Sequence, residues 1–366
     1  MVPETVEEAA ALLRELGAKG QAVRPVGGGT KPWGPRGDET PLETGALNRI
    51  REHNVGDFTA VLEAGTPFAE AQATFAEHRQ RIAWDPPDPG GATIGGIMAT
   101  GDSGPLRHRY GGVRDLVVGV TVVLSDGTVA KAGGKVIKNV AGYDLGKLFA
   151  GSFGTLGLIA SVAVRLHPLP EATATVTARA EDPDELLRAV VELAKRPLEA
   201  DCFDAQWERG GPGWLSLQFS GATASEQAVH ASEHVPLRDV TIDEDDDWSA
   251  HRVLQRSPAG AVLKVSGRPT DLPDVIRAAD AAGATVVSRA VLGLSWLAFA
   301  PGDDLAERVA TVRQALAPRA CTVLDGAERV GEQWPGAGGA RVVMERLKAR
   351  FDPARIFRPG AFVGGI

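Results

Sequence analysis

Residues able to do chemistry in this chain gather in three glycine-rich stretches that also carry hydroxyls and a lysine. The first is Pro25-Val26-Gly27-Gly28-Gly29-Thr30-Lys31. Three consecutive glycines expose several backbone N–H groups, the surface that cradles a pyrophosphate, and Thr30 and Lys31 add a hydroxyl and a positive charge. Gly28 is where a β-carbon would both meet a close phosphate and disfavour positive φ. The second stretch, 90–104, holds Thr93-Ile94-Gly95-Gly96 and Ala99-Thr100-Gly101-Asp102-Ser103-Gly104. Small residues alternate there with hydroxyls, a bed that accepts both an aromatic ring system and phosphate oxygens. Arg107, His108, Arg109 and Tyr110 follow directly; Arg109 reads as a solvated rim, whereas Arg107 and Tyr110 read as ligand neighbours. The third stretch is Gly151-Ser152-Phe153-Gly154-Thr155-Leu156-Gly157. Tight turns alone would not require hydroxyls placed among the glycines.

Neither common phosphate motif accounts for these loops. The G-x-x-x-x-G-K-[ST] spacing is absent, and so is G-x-G-x-x-G. At 366 residues the chain exceeds what one core usually serves, so two domains are expected. A hydrophobic content of 43% with 23% charged residues marks an ordinary globular protein. The net charge of −8 argues against a nucleic-acid partner, which would call for a basic face. Cys202 and Cys321 are far apart and no signal peptide is seen, so a reducing cytoplasm is the expected setting. The apolar run Val117–Leu124 is too short for direct membrane insertion. No pair among the seven histidines reads as a rigid metal site, and no metal is expected.

The elements that must position the loops can be read in order. Thr5–Leu16 is an amphipathic helix closed by Gly17, and a short strand at Ala22–Pro25 leads into the first glycines. Thr66–Glu77 reads as a helix opened by Pro67. The prolines of Trp84–Pro89 fix an extended entry to the second stretch, and Leu116–Leu124 is a strand followed by a turn at Ser125-Asp126-Gly127. After Leu166-His167-Pro168-Leu169-Pro170 the composition changes, and the spacing predicts helices at Pro183–Lys195, Asp271–Ala282 and Leu305–Ala317. Strands are expected at Leu215–Phe219, Val262–Val265, Ala284–Val287, Trp296–Ala300 and Cys321–Leu324. That alternation suggests a split β-α-β sheet with helices on one face. Asp243–Asp247 reads as a solvated loop, and Trp207, Trp214, Trp248, Trp296 and Trp334 as core or interface anchors.

The motifs also resemble a known family. Gly27-Gly28-Gly29-Thr30, Ala92–Gly96, Ser103-Gly104, Tyr110-Gly111, Arg114–Val117, Asp126-Gly127 and Gly151–Gly157, in that order, resemble the FAD-binding domain of the p-cresol methylhydroxylase and vanillyl-alcohol oxidase type. Within that type, Gly133–Leu145 is most similar to the FAD-binding subunit of glycolate oxidase. The resemblance implies an α+β fold. A two-subdomain FAD-binding domain (1–170) would be followed by a smaller α+β cap (171–339), with a C-terminal segment (340–366) packing back on the FAD domain. It implies that Val26–Lys31 hold the pyrophosphate, that Thr93–Gly96 and Ala99–Gly104 line the middle of the cofactor, and that Gly154, Thr155, Gly157 and Ile159 close over it. The first loop carries Lys31 where covalent members often carry a histidine, so non-covalent FAD is expected. The tail, Phe351-Asp352-Pro353-Ala354-Arg355-Ile356-Phe357-Arg358-Pro359-Gly360, carries Arg358 where the family has asparagine.

Three functions are compatible with this likeness. One is an FAD subunit of a glycolate oxidase complex, with a second FAD subunit and an iron–sulfur subunit as partners and a small 2-hydroxy acid as substrate. Membrane association would then come only through those partners. Another is a free-standing FAD dehydrogenase for an alcohol or hydroxy acid, which the absence of an H-x-G-D-G-N motif disfavours. The third is a non-catalytic assembly subunit with a structural FAD site. Arg107 is the candidate cation for a substrate carboxylate, and no residue is assigned as catalytic base.

Overall fold

The computed structural model describes residues 1–35, 37–88, 90–134, 144–244, 246, 248–336 and 338–366. It falls into two compact units: Met1–Ser103, Gly111–Leu169 and Gly336–Ile366 form the first, and Gly104–Tyr110 and Pro170–Pro335 the second. Most of the 133–145 stretch, namely residues 135–143, lies outside the described residues.

The first unit begins with the helix Val6–Lys19, whose Thr5 side chain accepts the N–H of Glu8 and whose last turn closes on Gly20 in the left-handed region. Gly17 therefore does not end the helix, as its residue type had suggested. It is a contact position, because a β-carbon there would sit 2.1 Å from the Ser125 carbonyl oxygen. Behind this helix Val23–Val26 pairs in parallel with Thr40–Glu43. The tail extends this sheet through a parallel bridge of Phe357 to Val23. The N–H of Val23 donates to Ile356 O at 2.7 Å and that of Arg358 to Val23 O at 3.0 Å. Ala9, Leu13, Leu16, Val23, Leu42, Leu158, Ile356 and Phe357 share one apolar core. A five-stranded antiparallel sheet completes the unit, in spatial order Ile50–Asn54, Thr59–Glu63, Leu158–Arg165, Val117–Val123, Val129–Gly133.

The tail is held by a buried polar knot. Lys348, on the helix Arg341–Phe351, donates to the carbonyls of Thr155 at 2.7 Å and Phe357 at 2.6 Å. Its ammonium also lies 2.8 Å from Asp352, whose carboxylate accepts the N–H groups of Ile356 and Phe357. Burial holds the Lys348 ammonium below its ordinary range, opposed by Asp352.

In the second unit the sheet has eight strands, all of whose pairings are antiparallel. The order is Arg238–Asp243, Thr173–Ala180, Gly213–Ser220, Cys202–Trp207, Ala284–Arg289, Leu294–Phe299, Ala261–Ser266, Ala320–Val323. Strict alternation sends Phe203, Ala205 and Trp207 of one strand, and Leu215, Leu217 and Phe219 of the next, into the core. There they meet residues of the helices Pro183–Ala194, Ala224–Ser232, Leu272–Ala281 and Leu305–Leu316. Among the described residues no helix is long and apolar enough to cross a membrane.

Candidate cofactor-binding site

The first unit contains a cleft whose empty space, open solvent included, is about 960 Å³. Pro25, Val26, Gly27, Gly28, Gly29, Thr30 and Lys31 line it, with Thr93, Gly95, Gly96, Ala99, Thr100, Gly154, Gly157 and Ile159. The three glycines are needed for different reasons. A β-carbon on Gly27 would lie 2.2 Å from Thr93 Oγ1, and one on Gly28 only 1.6 Å from Gly91 O. Gly29 has open space but φ of +68°. The steric constraint expected at Gly28 thus comes from the Gly91 carbonyl, and positive φ falls one residue later.

Residues 94–100 are a helix, not the flat bed suggested by their glycines. Thr93 caps it through Gly96 N, and Gly101 ends it in the left-handed region. Gly95 is small because the helix packs on Ala64, whose Cβ would be 2.6 Å from an added β-carbon. Ile94 is buried in the apolar interior and Gly101 serves as C-cap, so neither lines the cleft. Ser103 is buried with its N–H on Asp102 Oδ1. Thr155 turns its hydroxyl to Ser152 O while its carbonyl accepts Lys348. Gly104 and Arg107 cluster with the second unit and are also absent from this lining.

Lys31 is the most informative side chain in the cleft. Its side chain is 4% exposed, its ammonium is 3.5 Å from Asp102 Oδ2, and Asp102 is 3% exposed. No hydrogen-bond acceptor for the ammonium occurs among the described residues. A buried cation so poorly satisfied is costly unless an anion completes its shell. With bare glycine N–H groups beside it, the donor set suits a phosphate-bearing cofactor.

Sequence reasoning gave no place in the wall to Arg24, Pro32, Trp33, Gly34, Thr44, Ala64 and Ile97, and it noted Arg358 only as a departure from the family's asparagine. Arg358 is the instructive one. Its guanidinium donates to Phe153 O at 2.8 Å, Pro35 O at 3.2 Å and Trp33 O at 3.4 Å. In place of the expected asparagine, it joins the tail to the loop after Lys31 and to the 151–157 turn. Its charge within an otherwise apolar Ile-Phe-x-Pro-Gly run was the available signal.

With this geometry in view, residues 1–133 match the family model described as an FAD binding domain. FAD is the cofactor. Curated relatives include glycolate oxidase subunit GlcE of Escherichia coli, 36% identical over 171 residues, 45% of this chain and 49% of that protein. The D-lactate dehydrogenase of Archaeoglobus fulgidus is 33% identical over 258 residues, 65% of this chain and 57% of that protein. The matched segments span 57% or less of these two relatives' lengths. A solved structure of alkyldihydroxyacetonephosphate synthase superposes with a TM-score of 0.73 at 14% identity, covering 98% of this chain and 75% of that one. The fold is therefore the expected α+β arrangement.

The second unit carries a different polar cluster, on the sheet face opposite its helices. Arg289 and Asp204, both fully buried, pair at 2.7 Å. Gln255 accepts from Arg289, and the guanidinium lies 4.9 Å from the centre of the Trp296 ring. His251 is 2.8 Å from Gln206 Nε2 and stacks on Trp248 at 3.9 Å, while Trp248 Nε1 donates to Thr175 Oγ1. His108 lies against Phe203 in the same unit, and burial lowers its imidazole pKa against the opposing pull of Asp204 and Asp201. Arg289, already engaged by Asp204 and Gln255, acts as a staple that holds the 248–255 segment on the sheet. One reading of the histidines needs correction. His230 and His234, four apart at a helix end, come together with Glu233.

Proposed function

We propose that this chain is an FAD-carrying subunit of a glycolate oxidase-type enzyme that converts a small 2-hydroxy acid to the 2-oxo acid, with FAD held non-covalently. The observation that carries the reading is the buried Lys31 ammonium beside the Gly27–Gly29 backbone, inside the domain matched as FAD-binding. The cleft lining contains no histidine or cysteine among the described residues, which supports non-covalent attachment. When bound, the isoalloxazine supplies the hydride acceptor for the substrate carbon. The chain's own part is to seat the cofactor. Gly27–Gly29 would present N–H donors to the pyrophosphate, Lys31 would neutralise an anionic oxygen, and the Ile94–Thr100 helix and the Gly154–Ile159 turn would wall the middle of the molecule.

Partner subunits complete this proposal: a second FAD subunit and an iron–sulfur subunit that carries electrons onward. Support comes from the likeness to proteins named as glycolate oxidase subunits, GlcE of Escherichia coli and GlcD of Bacillus subtilis. It also comes from the lack of an H-x-G-D-G-N motif in this chain. A second reading, a dehydrogenase acting alone on a D-2-hydroxy acid, is supported by the length of the match to the archaeal D-lactate dehydrogenase.

One experiment separates them. The purified chain should be yellow, and acid precipitation should leave the flavin in the supernatant. Anaerobic glycolate or D-lactate should fail to bleach it until the partner subunits are added. Bleaching of the isolated chain would favour the autonomous dehydrogenase, and a colourless protein that resists FAD reconstitution would overturn both.

A further inference from the structure

The helix Ala224–Ser232 ends in side chains that the proposed function leaves unused. His230 and His234 are one helical turn apart with Glu233 beside them, and one ligand atom from each lies within 4.8 Å of the others. The two imidazole centroids are 4.7 Å apart, with the ring planes inclined at 59°. His234 Nδ1 stands 2.8 Å from the carbonyl oxygen of His230. A carbonyl can only accept, so Nδ1 carries the proton and Nε2 keeps its lone pair. Metal-ligating histidines are commonly oriented by this kind of bond, which fixes the tautomer before the ion arrives.

We propose that His230, Glu233 and His234 form a surface site for a zinc-class divalent ion, with water completing a tetrahedron. Two imidazoles and one carboxylate suit zinc, whereas magnesium and calcium favour an all-oxygen shell. Ligand atoms around a tetrahedral zinc stand about 3.3 Å apart, so the trio closes by rotation of side chains that are exposed or half-buried. All three ligands come from one five-residue segment, and the ion clamps the last turn of the helix. The His-x-x-Glu-His spacing also occurs in a class of zinc peptidases, where the glutamate is the base. Here a Glu233 carboxylate oxygen lies within 4.8 Å of a ring nitrogen of each imidazole, and Glu233 is assigned as a ligand.

The test is isothermal titration of zinc chloride into the full, tag-free chain after chelator treatment and dialysis. One ion per chain should bind with a Kd on the order of micromolar. The double substitution His230→Ala with His234→Ala should weaken binding at least tenfold, and Glu233→Gln by less, with the visible flavin spectrum unchanged in each. Absence of saturable binding, or a Kd that the double substitution leaves unaltered, overturns the site.

Discussion

Lys31 in the first unit and Arg289 in the second are both cations withdrawn from water, yet their surroundings differ. Lys31 has one loose neighbour, Asp102 at 3.5 Å, and a glycine backbone alongside. Arg289 is gripped by Asp204 at 2.7 Å, by Gln255 and by the face of Trp296. Removing a charge from water costs several kcal/mol, and the partners that offset it can come from the chain or from a ligand. The second unit supplies its own partners, whereas the first leaves room for a cofactor's anion. Burial of a charge is thus a poor sign of a site until its partners have been counted.

The comparison can be broken by substitution. Asp204→Ala would strand the Arg289 guanidinium in the interior and should cost about 3–5 kcal/mol in urea unfolding followed by tryptophan fluorescence. A loss below about 1 kcal/mol would show that the staple is dispensable. Lys31→Met should do the reverse: flavin-free protein as stable as the parent or more so, and FAD binding weaker by roughly ten- to a hundredfold, as expected for one charged hydrogen bond. If Lys31→Met unfolded the chain as Asp204→Ala does, the ammonium would be structural and the contrast would vanish.

Two smaller effects sharpen it. Asp271 in the second unit is held well below the usual carboxylate range by hydrogen bonds, first from Arg319 and then from the N–H of Arg268. Its folded pKa is depressed, so its stabilisation is complete above the unfolded value of about 3.9 and is lost as pH falls toward the folded value. The stability gap between parent and Asp271→Asn should be about 1–2 kcal/mol at pH 7 and shrink below pH 4; a gap that grows on acidification would reverse the assignment. Gly29→Ala meets no neighbour and strains only φ, so it should cost about 1 kcal/mol in stability and only a few-fold in FAD affinity. A much larger loss would mean that the loop cannot shift at all.

Some of this was legible from residue types alone. The helices Pro183–Lys195 and Leu305–Ala317 were read to within a residue of their observed ends, and the first glycine loop, read as a cradle for phosphate, lines the cleft. Glycine misled where its reason was a neighbour distant in sequence. Gly17 is small for Ser125, Gly28 for Gly91 and Gly95 for Ala64, and local pattern contains none of those contacts. The strands Thr173–Ala180 and Cys202–Trp207 went unread because their outward positions hold Thr175, Thr177, Asp204 and Gln206, which pair only across the sheet or with the 248–255 segment. The contacts of Arg358, noted in the sequence only as standing where asparagine is usual, were hidden for a related reason, since its three carbonyl partners lie more than 200 residues away.

The bridge between Phe357 and Val23 bears on the order in which the protein is made. Synthesis runs from the N-terminus, so the glycine loops leave the ribosome long before the segment that completes their sheet and fixes the 151–157 turn through Arg358 and Lys348. The second unit, apart from Gly104–Tyr110, is encoded wholly between these two parts. It can therefore finish folding first, while the first unit, begun earlier, waits for residues 336–366 before its parallel sheet is complete.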